Sequence, residues 1–270
     1  MLPLSFLSDY GHGDEFVGVC HGVVQRIAPG AVVIDVTHDI PRHDVRLGAL
    51  SLQRAVPYLP QGVHIAVVDP GVGGERRAVA IRAADGNMFV GPDNGLLWPA
   101  AETCGGVVEA VDVGQSPHRL EPVSATFHGR DLFAPVAAHL ALGAALGEAG
   151  RAMDPGTLHR LELPPPELSD GRIRTRVVAV DRFGNLELNV RSADMREAGF
   201  EIGDCLEVLS SRRTGSAVYA RTFSDVGERE AVILEDSSGR IAVAVNQGSA
   251  TGALGVGAEA ELLLQPCDDH

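Results

Sequence analysis

The chain of 270 residues has few aromatic residues, few cysteines and no long apolar segment. Aromatic residues make up 4% of it while Gly contributes 32 residues, so we expect an aliphatic core with many tight turns. The four cysteines form no CxxC pair, which argues against a zinc ribbon or a redox motif and predicts scattered buried thiols in a reducing compartment. No apolar run approaches ~20 residues, and the start LPLSFL resembles no signal peptide. These absences predict a soluble, cytoplasmic protein.

Basic residues are also in the minority, because 22 Lys and Arg stand against 36 Asp and Glu, a formal net charge of −14. Affinity for nucleic acid rests on cationic side chains that neutralise phosphates, so this balance argues against non-specific nucleic-acid binding. The hydrophobic fraction of 45% and the charged fraction of 21% are typical of a folded globular protein. We therefore expect a globular protein that binds neither nucleic acid nor membranes.

The first part of the chain alternates between strand and helix patterns. Residues 2–7, 31–36 and 63–68 are predicted to be buried strands, and apolar residues recur at helical spacing from Phe16 to Ile27 and within 44–56. This order is typical of a parallel sheet with crossover helices. Further strands are predicted at 78–82, 87–90 and 107–112, and a further helix at 131–146.

The pattern changes at LELPPPELSDG, where three consecutive prolines stiffen the chain and predict a linker over about 164–171. Beyond it, short strand-like runs are separated by Gly, Ser and Asp turns, which predicts a small β-barrel or sandwich. The predicted runs are 173–180, 205–210, 217–222, 231–235, 240–245 and 258–264. The fold class is therefore α/β in a domain of residues 1–163 with a mainly parallel sheet, followed by a smaller all-β domain of residues 172–270.

Polar residues follow each of the first three predicted strands. Because ligands of an open parallel sheet bind beyond the carboxyl ends of its strands, we expect these residues to line one pocket. Taken singly, each has a structural interpretation, such as a helix N-cap at Asp131 or a turn at Asp9. Several together on adjacent strand ends favour a functional site. The candidates are Ser8, Asp9, Tyr10, Thr37, His38, Asp39 and Asp69, joined by Thr126, His128, Arg130 and Asp131 of SATFHGRD.

Two other kinds of site, a metal centre and an anion-binding loop, would also be placed at this edge. A metal centre would use hard oxygen and imidazole donors, but HxxxH and HExxH spacings are absent and Arg76 or Arg77 would repel a dication, so no metal is predicted. The segment GVGGERR matches neither the P-loop nor the dinucleotide fingerprint, and a hairpin rather than a helix is expected after it. The metal donors considered were Asp9, His12, His38, Asp39, His43, Asp69 and His128.

Five segments in order, SDYGHGDEFVG, VHIAVVDPGVGGERR, VGPDNGLL, FHGRDLFAPVAA and DRFGN, closely resemble the S-adenosyl-methionine hydrolases (adenosine-forming). These belong to the superfamily that also contains the fluorinases and chlorinases, and the resemblance covers nearly the whole chain. It implies a Rossmann-like N-terminal domain, a C-terminal β-barrel and a homotrimer with ligand sites between subunits. It also implies attack of water at C5′ of the ribose of S-adenosyl-L-methionine, giving adenosine and L-methionine without a cofactor.

The resemblance implies roles for particular residues. Asp69, Arg76 and His128 would position and activate the water, with His128 as proton acceptor. A glycine-rich turn would bring Asp69 and Arg76 together from two adjoining strands. Asp9 would hold the ribose hydroxyls. Further substrate contacts are implied in the C-terminal domain at Asp181, Phe183, Asn185, Ser237, Ser238 and Asn246.

Halogenases of this superfamily carry an extra loop in the first domain. Here VGPDNGLLWPAAETCGGVVEAVDV leaves no room for that loop, and FHGRD retains the histidine, so the resemblance favours a hydrolase. Two alternatives stay open: a halogenase-type displacement on the same substrate, and a non-catalytic protein that binds adenosine or S-adenosyl-methionine.

Overall fold

A computed structural model describes residues 1–267 of the chain. The chain divides into two compact units, the first spanning Met1–Leu161 and the second beginning at Glu162. Residues 167–169, within the predicted linker, form a short strand of the second unit. Among the described residues, no helix combines the length and the apolar character needed to cross a bilayer.

The first unit is built on one mixed sheet. Its strands are β1 (Leu4–Ser8), β2 (Val33–Thr37), β3 (Val63–Val67), β4 (Ala78–Ala83), β5 (Met88–Pro92), β6 (Val107–Asp112) and β7 (Arg151–Met153). They lie in the order β2-β1-β3-β5-β4-β6-β7. The predicted parallel sheet is confirmed for β2, β1, β3 and β5, whereas β4, β6 and β7 pair antiparallel.

Helices cover both faces of this sheet, because residues along each strand point alternately to either side. Val63, Ile65 and Val67 of β3 belong to the core under the first and fourth helices, whereas Ala66 belongs to the core under the second and third. The helices are α1 (Phe16–Ile27), α2 (Val45–Ala55), α3 (Trp98–Thr103), α4 (Ala134–Ala141) and α5 (Leu146–Ala149).

The first two predicted helices are confirmed, and the third needs correction. The side chain of Asp44 caps α2 by accepting a hydrogen bond from the Leu47 N–H at 2.8 Å. The predicted helix over 131–146 instead begins with a π-helical turn at Gly129–Phe133 and ends with α4. Gly143 adopts a left-handed conformation, φ +103°, just beyond α4. Asp131 lies inside the π-turn and is therefore not a helix N-cap.

The second unit is a closed β-barrel, which confirms the predicted all-β fold. Its strands are β8 (Glu167–Ser169), β9 (Arg172–Val180), β10 (Leu186–Leu188), β11 (Cys205–Ser210), β12 (Thr214–Tyr219), β13 (Ala231–Glu235), β14 (Ile241–Val245) and β15 (Glu261–Pro266). Their order is β10-β14-β13-β12-β11-β15-β9-β8, and a further pairing of β10 with β9 closes a ring of seven strands. Two short helices, α6 (Ser192–Glu197) and α7 (Ala250–Leu254), lie in its connections.

The expectation of four unpaired thiols is wrong for one pair. Cys205 and Cys267 form a disulfide although 62 residues separate them in the sequence. The antiparallel pairing of β11 with β15 brings them together, and the Cys267 N–H donates to the Cys205 carbonyl at 3.0 Å. Cys20 and Cys104 are free and buried, as predicted. Sequence spacing gave no signal of this bond because the pairing is long-range.

Candidate active site

A cavity of about 660 Å³ lies beyond the carboxyl ends of β1, β2 and β3, where the sequence predicted a pocket. The chain reverses its direction across the sheet here, since β2 and β3 lie on opposite sides of β1, and such a point is the usual ligand site of an open α/β sheet. The volume is in the range of small-molecule pockets. Its polar lining includes Asp9, Tyr10, Asp14, His38, Asp39, Arg42, His43, Asp69, Thr126 and His128.

Asp69, Arg76 and His128 form one continuous chain of hydrogen bonds. The Arg76 Nε–H donates to both carboxylate oxygens of Asp69, at 2.9 and 3.1 Å, and the terminal NH2 group also contacts Asp69 Oδ2. The same NH2 group lies 2.8 Å from His128 Nδ1. The structure therefore brings together the three residues that the sequence singled out for the reaction.

The ion pair in this chain is largely shielded from water. The side chains of Asp69 and Arg76 are 5% and 12% exposed. The Arg76 guanidinium also lies over the ring of buried Phe133, 5.4 Å from its centre. Little solvent surrounds this charge pair, so the attraction between Asp69 and Arg76 is weakly screened. That attraction holds the guanidinium in one orientation.

The contact with Arg76 determines the tautomer of His128. A guanidinium has only N–H donors, so Nδ1 of His128 must be the acceptor and the neutral ring carries its hydrogen on Nε2. Burial lowers the pKa of His128, the charge of Arg76 lowers it further, and Asp69 and Asp131 oppose this effect. The neutral ring therefore presents an Nε2–H donor at neutral pH.

The second arginine of the pair has a different role. Arg77 Nε donates to Asp93 Oδ2 at 2.8 Å, and its NH1 donates to the Thr157 hydroxyl at 3.1 Å. Asp93 in turn accepts from the His159 N–H at 2.8 Å. Arg77 thus ties together the segment after β5 and the segment near residue 157, away from the cavity.

The hairpin expected after GVGGERR is confirmed by the antiparallel pairing of β4 with β5, but Asp69 and Arg76 do not come from adjoining strands as predicted. β5 lies between β3 and β4 in the sheet, so the segment from Asp69 to Arg76 crosses the end of β5 instead of linking neighbouring strands. Two turn hydrogen bonds shape it, from the Val72 N–H to the Asp69 carbonyl at 3.2 Å and from the Gly74 N–H to the Gly71 carbonyl at 3.0 Å.

Gly73 is the glycine that this crossing requires. Its φ is +73°, and a Cβ atom there would lie 2.2 Å from the carbonyl oxygen of Ala125. Ala125 belongs to the segment that leads to His128. Gly73 therefore lets the crossing turn pack against the backbone that positions the histidine.

We expect Gly73→Ala to lower kcat by at least about tenfold, because the turn must move away from Ala125 and misplace Arg76 relative to His128. Steady-state kinetics and a melting curve measure the change. Gly13→Ala is the matched control, since a Cβ there meets no atom within 4 Å. Equal kcat values for the two variants would contradict this role of Gly73.

The segment before the π-turn is anchored by Asp131. Its carboxylate accepts from the Ser124 N–H at 2.8 Å and from the Arg130 Nε–H at 2.6 Å, and the residue is buried. A π-turn inside a helix is common at functional sites. This anchoring fixes the loop from which His128 faces the cavity.

Tyr10 forms a wall of the cavity that the sequence marked only as polar. A Cβ on Gly129 would lie 2.2 Å from the Tyr10 hydroxyl, so glycine at 129 allows the phenol to pack against the backbone. Burial raises the pKa of Tyr10 well above its usual value, and nearby Cys20, Asp69 and Asp9 raise it further. The phenol therefore stays protonated and able to donate a hydrogen bond.

Asp9 is held in the cavity by a strained neighbour. Asp9 Oδ2 accepts from the His43 N–H at 3.0 Å. His43 adopts φ +68°, a conformation that is uncommon for residues other than glycine. The contact fixes the carboxylate while using one of its two oxygens, which leaves the other oxygen available for a ligand.

The second unit has a cavity of its own, of about 690 Å³. Of the six C-terminal residues predicted to contact substrate, five line it: Asp181, Phe183, Asn185, Ser237 and Asn246. Ser238 does not. Its N–H and hydroxyl both bond to Asp236 Oδ1, at 2.8 and 2.6 Å, which places it inside the turn after β13.

The DRFGN segment is a turn that displays an aromatic ring. Asp181 Oδ1 accepts from the N–H groups of Phe183 and Asn185, both at 2.9 Å, and Asp181 Oδ2 accepts from the Asn185 side-chain amide at 2.7 Å. The Phe183 ring is left 69% exposed at the cavity. A large apolar ring held in solvent is suited to stacking against a planar ligand.

Some lining residues of this cavity were missed by sequence reasoning, namely Arg221, Thr222, Phe223, Glu235 and Asp236. Phe223 is a second aromatic ring that is 41% exposed, in the connection from β12 to β13. Its segment YARTFSD carries no generic motif, and only closure of the barrel brings it beside Phe183. The sequence held no local signal that could have found it.

Comparison with known proteins places both units in one family. Residues 4–150 match the SAM hydroxide adenosyltransferase N-terminal domain, and residues 175–263 match the C-terminal domain of the same name. The chain is 49% identical over 256 residues to the (R)-S-adenosyl-L-methionine hydrolase of Salinispora tropica, with 94% of each chain covered. It is 40% identical over 271 residues to the protein of that name from Thermus thermophilus, covering 95% of this chain and 96% of the relative.

More distant relatives and solved structures agree with this grouping. A fluorinase from an Actinoplanes species is 31% identical over 273 residues, with 90% of each chain covered. The crystal structure of an uncharacterized conserved protein from Thermotoga maritima has a TM-score of 0.90 at 34% identity, covering 97% of this chain and 99% of that one. A conserved hypothetical protein from Thermus thermophilus has a TM-score of 0.78 at 38% identity, covering 98% and 100%.

Proposed function

The chain belongs to the SAM hydroxide adenosyltransferase family, and we propose that it hydrolyses S-adenosyl-L-methionine to adenosine and L-methionine. The observation that carries the proposal is the hydrogen-bonded chain of Asp69, Arg76 and His128 at the first cavity. The names of the relatives at 40–49% identity support hydrolysis. The fluorinase is less similar, at 31%, so a halogenase-type displacement is the second candidate.

The substrate carries its own leaving group, because the sulfonium departs as a neutral thioether and needs no general acid. The water oxygen forms a bond to C5′ of the ribose, and the C5′–S bond breaks with its electron pair going to sulfur. The water must lose a proton, which is difficult because its pKa in bulk is about 15.7. The protein has to hold this water in line and favour its hydroxide character.

In our proposal the three residues divide this task. The Nε2–H of His128 donates a hydrogen bond to the water oxygen, and the Asp69 carboxylate, which lines the cavity, accepts the proton that the water loses and releases it to solvent after the products leave. Arg76 bonds to both Asp69 and His128, and its positive charge favours hydroxide character in the water. His128 is not the base in this arrangement, because its acceptor nitrogen already faces Arg76.

Asp9 and the second cavity account for the rest of the substrate. We propose that the free oxygen of Asp9 binds the ribose hydroxyls, which fixes C5′ for in-line attack. Phe183 stacks against adenine, and Asp181, Asn185, Ser237 and Asn246 contact the methionine and adenine ends. Ser238 supports this group from within its turn. No metal or cofactor takes part in the step.

A product assay tests the activity. We expect purified protein to release equimolar adenosine and methionine from S-adenosyl-methionine, equally with and without chelator, and to form no chlorinated nucleoside at high chloride. Because the relatives are named for the R epimer, we also propose a preference for that sulfonium epimer, so the S epimer should remain in excess. Loss of activity with chelator, a chlorinated product or no turnover would each overturn the proposed reaction.

The pH dependence of kcat/KM reports the protonation state of His128. Because its folded pKa lies below the usual 6.5, the neutral ring predominates above that pKa, and we expect a flat profile at neutral pH that falls in acid. Protonation would place a hydrogen on Nδ1 against Arg76 and break the hydrogen-bonded chain. A falling limb above pH 7 instead would contradict this assignment.

The substitution His128→Asn distinguishes two possible roles of this residue, namely holding the water and accepting its proton. The asparagine Oδ1 can still accept from Arg76 but does not titrate, so we expect about a tenfold loss of kcat and loss of the part of the acid limb that His128 causes. A loss of about 10²- to 10⁴-fold would restore His128 as the base, since that is the range for removing a proton acceptor.

The assembly, the domain limits and the location stay predictions. We propose a homotrimer in which the α/β domain, 1–163, of one subunit and the β domain, 172–270, of its neighbour share a ligand, with a linker at 164–171. Light scattering on the purified protein tests the trimer. A cytoplasmic location is proposed from the cysteine pattern, although the Cys205–Cys267 disulfide weighs against it, because such bonds are rare in reducing compartments.

A further inference from the structure

A separate polar cluster joins α1 to β2, apart from the residues proposed to act on water. It consists of His21 on α1, Asp35 on β2 and His38 just after β2. One potential ligand atom from each lies within 4.8 Å of the other two. Across residues 1–267, this is the one group of three or more such side chains that meets this spacing.

The distances are close to those of a metal site. Asp35 Oδ1 lies 2.9 Å from His21 Nε2 and 3.1 Å from His38 Nε2. In a tetrahedral zinc site with bonds of about 2.0–2.1 Å, ligand atoms are about 3.3 Å apart. The Asp35 oxygen therefore needs to move by only a few tenths of an ångström from each imidazole nitrogen to receive an ion.

His38 gives a second, independent indication. Its side chain is fully buried, yet Nε2 makes no aligned hydrogen bond to any residue that the structure describes, Asp35 included. A buried polar atom whose contact with a carboxylate is not aligned as a hydrogen bond is poorly satisfied, which calls for an explanation. A metal ion between Nε2 and Asp35 would satisfy it.

The other side of the His38 ring is already arranged for a ligand role. Nδ1 lies 2.7 Å from the Ser8 hydroxyl oxygen, which also accepts from the Tyr10 N–H at 3.3 Å. In the tautomer with its hydrogen on Nδ1, His38 donates to Ser8 and leaves Nε2 free for a metal, as metal-binding histidines usually do.

We propose that His21, Asp35 and His38 bind one divalent transition-metal ion of the zinc class. Two imidazoles and one carboxylate suit Zn²⁺, Ni²⁺ or Cu²⁺, whereas Mg²⁺ and Ca²⁺ prefer oxygen ligands throughout. The side chains of His21 and Asp35 are 33% and 39% exposed, which gives the ion an entry path and room for a water ligand. The ion ties α1 to β2 and takes no part in the attack on C5′.

Metal binding to tag-free, chelator-treated protein tests the site. We expect calorimetry to find one Zn²⁺ per chain and a raised melting temperature. We expect Cu²⁺ to give an electron paramagnetic resonance spectrum with coupling to two imidazole nitrogens. In His21→Gln, affinity should fall at least about tenfold and coupling to one nitrogen should be lost. His159→Gln, which removes an exposed histidine outside the cluster, should match the wild type.

Asp35→Asn is the second variant and should also weaken binding at least about tenfold, with circular dichroism confirming that both variants are folded. The proposal is overturned if the wild type binds neither ion, or if the wild type, His21→Gln and Asp35→Asn bind with equal affinity. A wild-type Cu²⁺ spectrum with no imidazole coupling would likewise overturn it. All these readouts are independent of hydrolysis, so they stand apart from the proposed reaction.

Discussion

Arg76→Lys will lower kcat for hydrolysis by about 10²- to 10³-fold while changing KM by no more than about threefold. A lysine ammonium is a point charge and cannot reach two sites in the plane of a guanidinium, so the link between Asp69 and His128 is lost. The positive charge is retained, and the loss therefore measures positioning. The expected range is that for removing one donor that stabilises developing charge in an enzyme site. Steady-state kinetics with quantified adenosine measures it.

Arg77→Lys is the matched control, because it makes the same chemical change one residue away. Arg77 bonds to Asp93 and Thr157 and faces no part of the cavity, so this variant should lose some thermal stability and keep kcat within about twofold. Similar losses of kcat in both variants would show that the turn, and not the position of Arg76, matters. A rise of KM with kcat unchanged in Arg76→Lys would mean that the arginine only binds substrate.

Asp9→Asn will weaken binding of adenosine and of S-adenosyl-methionine by about 10- to 100-fold. Hydrogen bonds to a charged group contribute about 1.5–3 kcal/mol, and asparagine retains only one acceptor oxygen, which the His43 N–H can occupy. The variant should therefore fold normally while its ribose contacts are lost. Calorimetry with adenosine isolates this effect, because adenosine carries no sulfonium.

Glu15→Gln serves as the charge control for Asp9→Asn. It removes one exposed carboxylate close by in the sequence and should leave the adenosine Kd within about twofold. If Asp9→Asn binds adenosine as well as the wild type does, the carboxylate does not hold the ribose. If both variants weaken only the cationic substrate, the effect is one of net charge.

Local patterns predicted most of the secondary structure correctly. α1 lies where the helical spacing placed it, from Phe16 to Ile27, and β11 and β13 have the predicted limits. α1 and β11 have buried positions at a clear period, and β13 is a short continuous apolar run, so the signal for each lies in consecutive residues. The short strand β10 and the helices α6 and α7 were missed because three to six residues hold too little periodicity.

The candidate site was predicted unevenly for a related reason. Asp69, Arg76 and His128 were found because each lies in a segment with a recognisable motif. The tautomer of His128 and the structural pairing of Arg77 could not be predicted, since each depends on which atom faces which partner. Phe223 was missed because its segment resembles no motif.

Composition and residue spacing were sufficient to predict an α/β unit, an all-β unit and an edge of the sheet rich in polar residues. These properties depend on short-range periodicity and on where strands end. The other features of the fold and the sites depend on contacts between residues that are distant in the chain or lie on different elements. The placement of β5 between β3 and β4, the Cys205–Cys267 disulfide and the cluster of His21, Asp35 and His38 all join residues that are distant in the chain or lie on different elements. Their proximity arises from the packing of the whole sheet or barrel, which no single segment encodes.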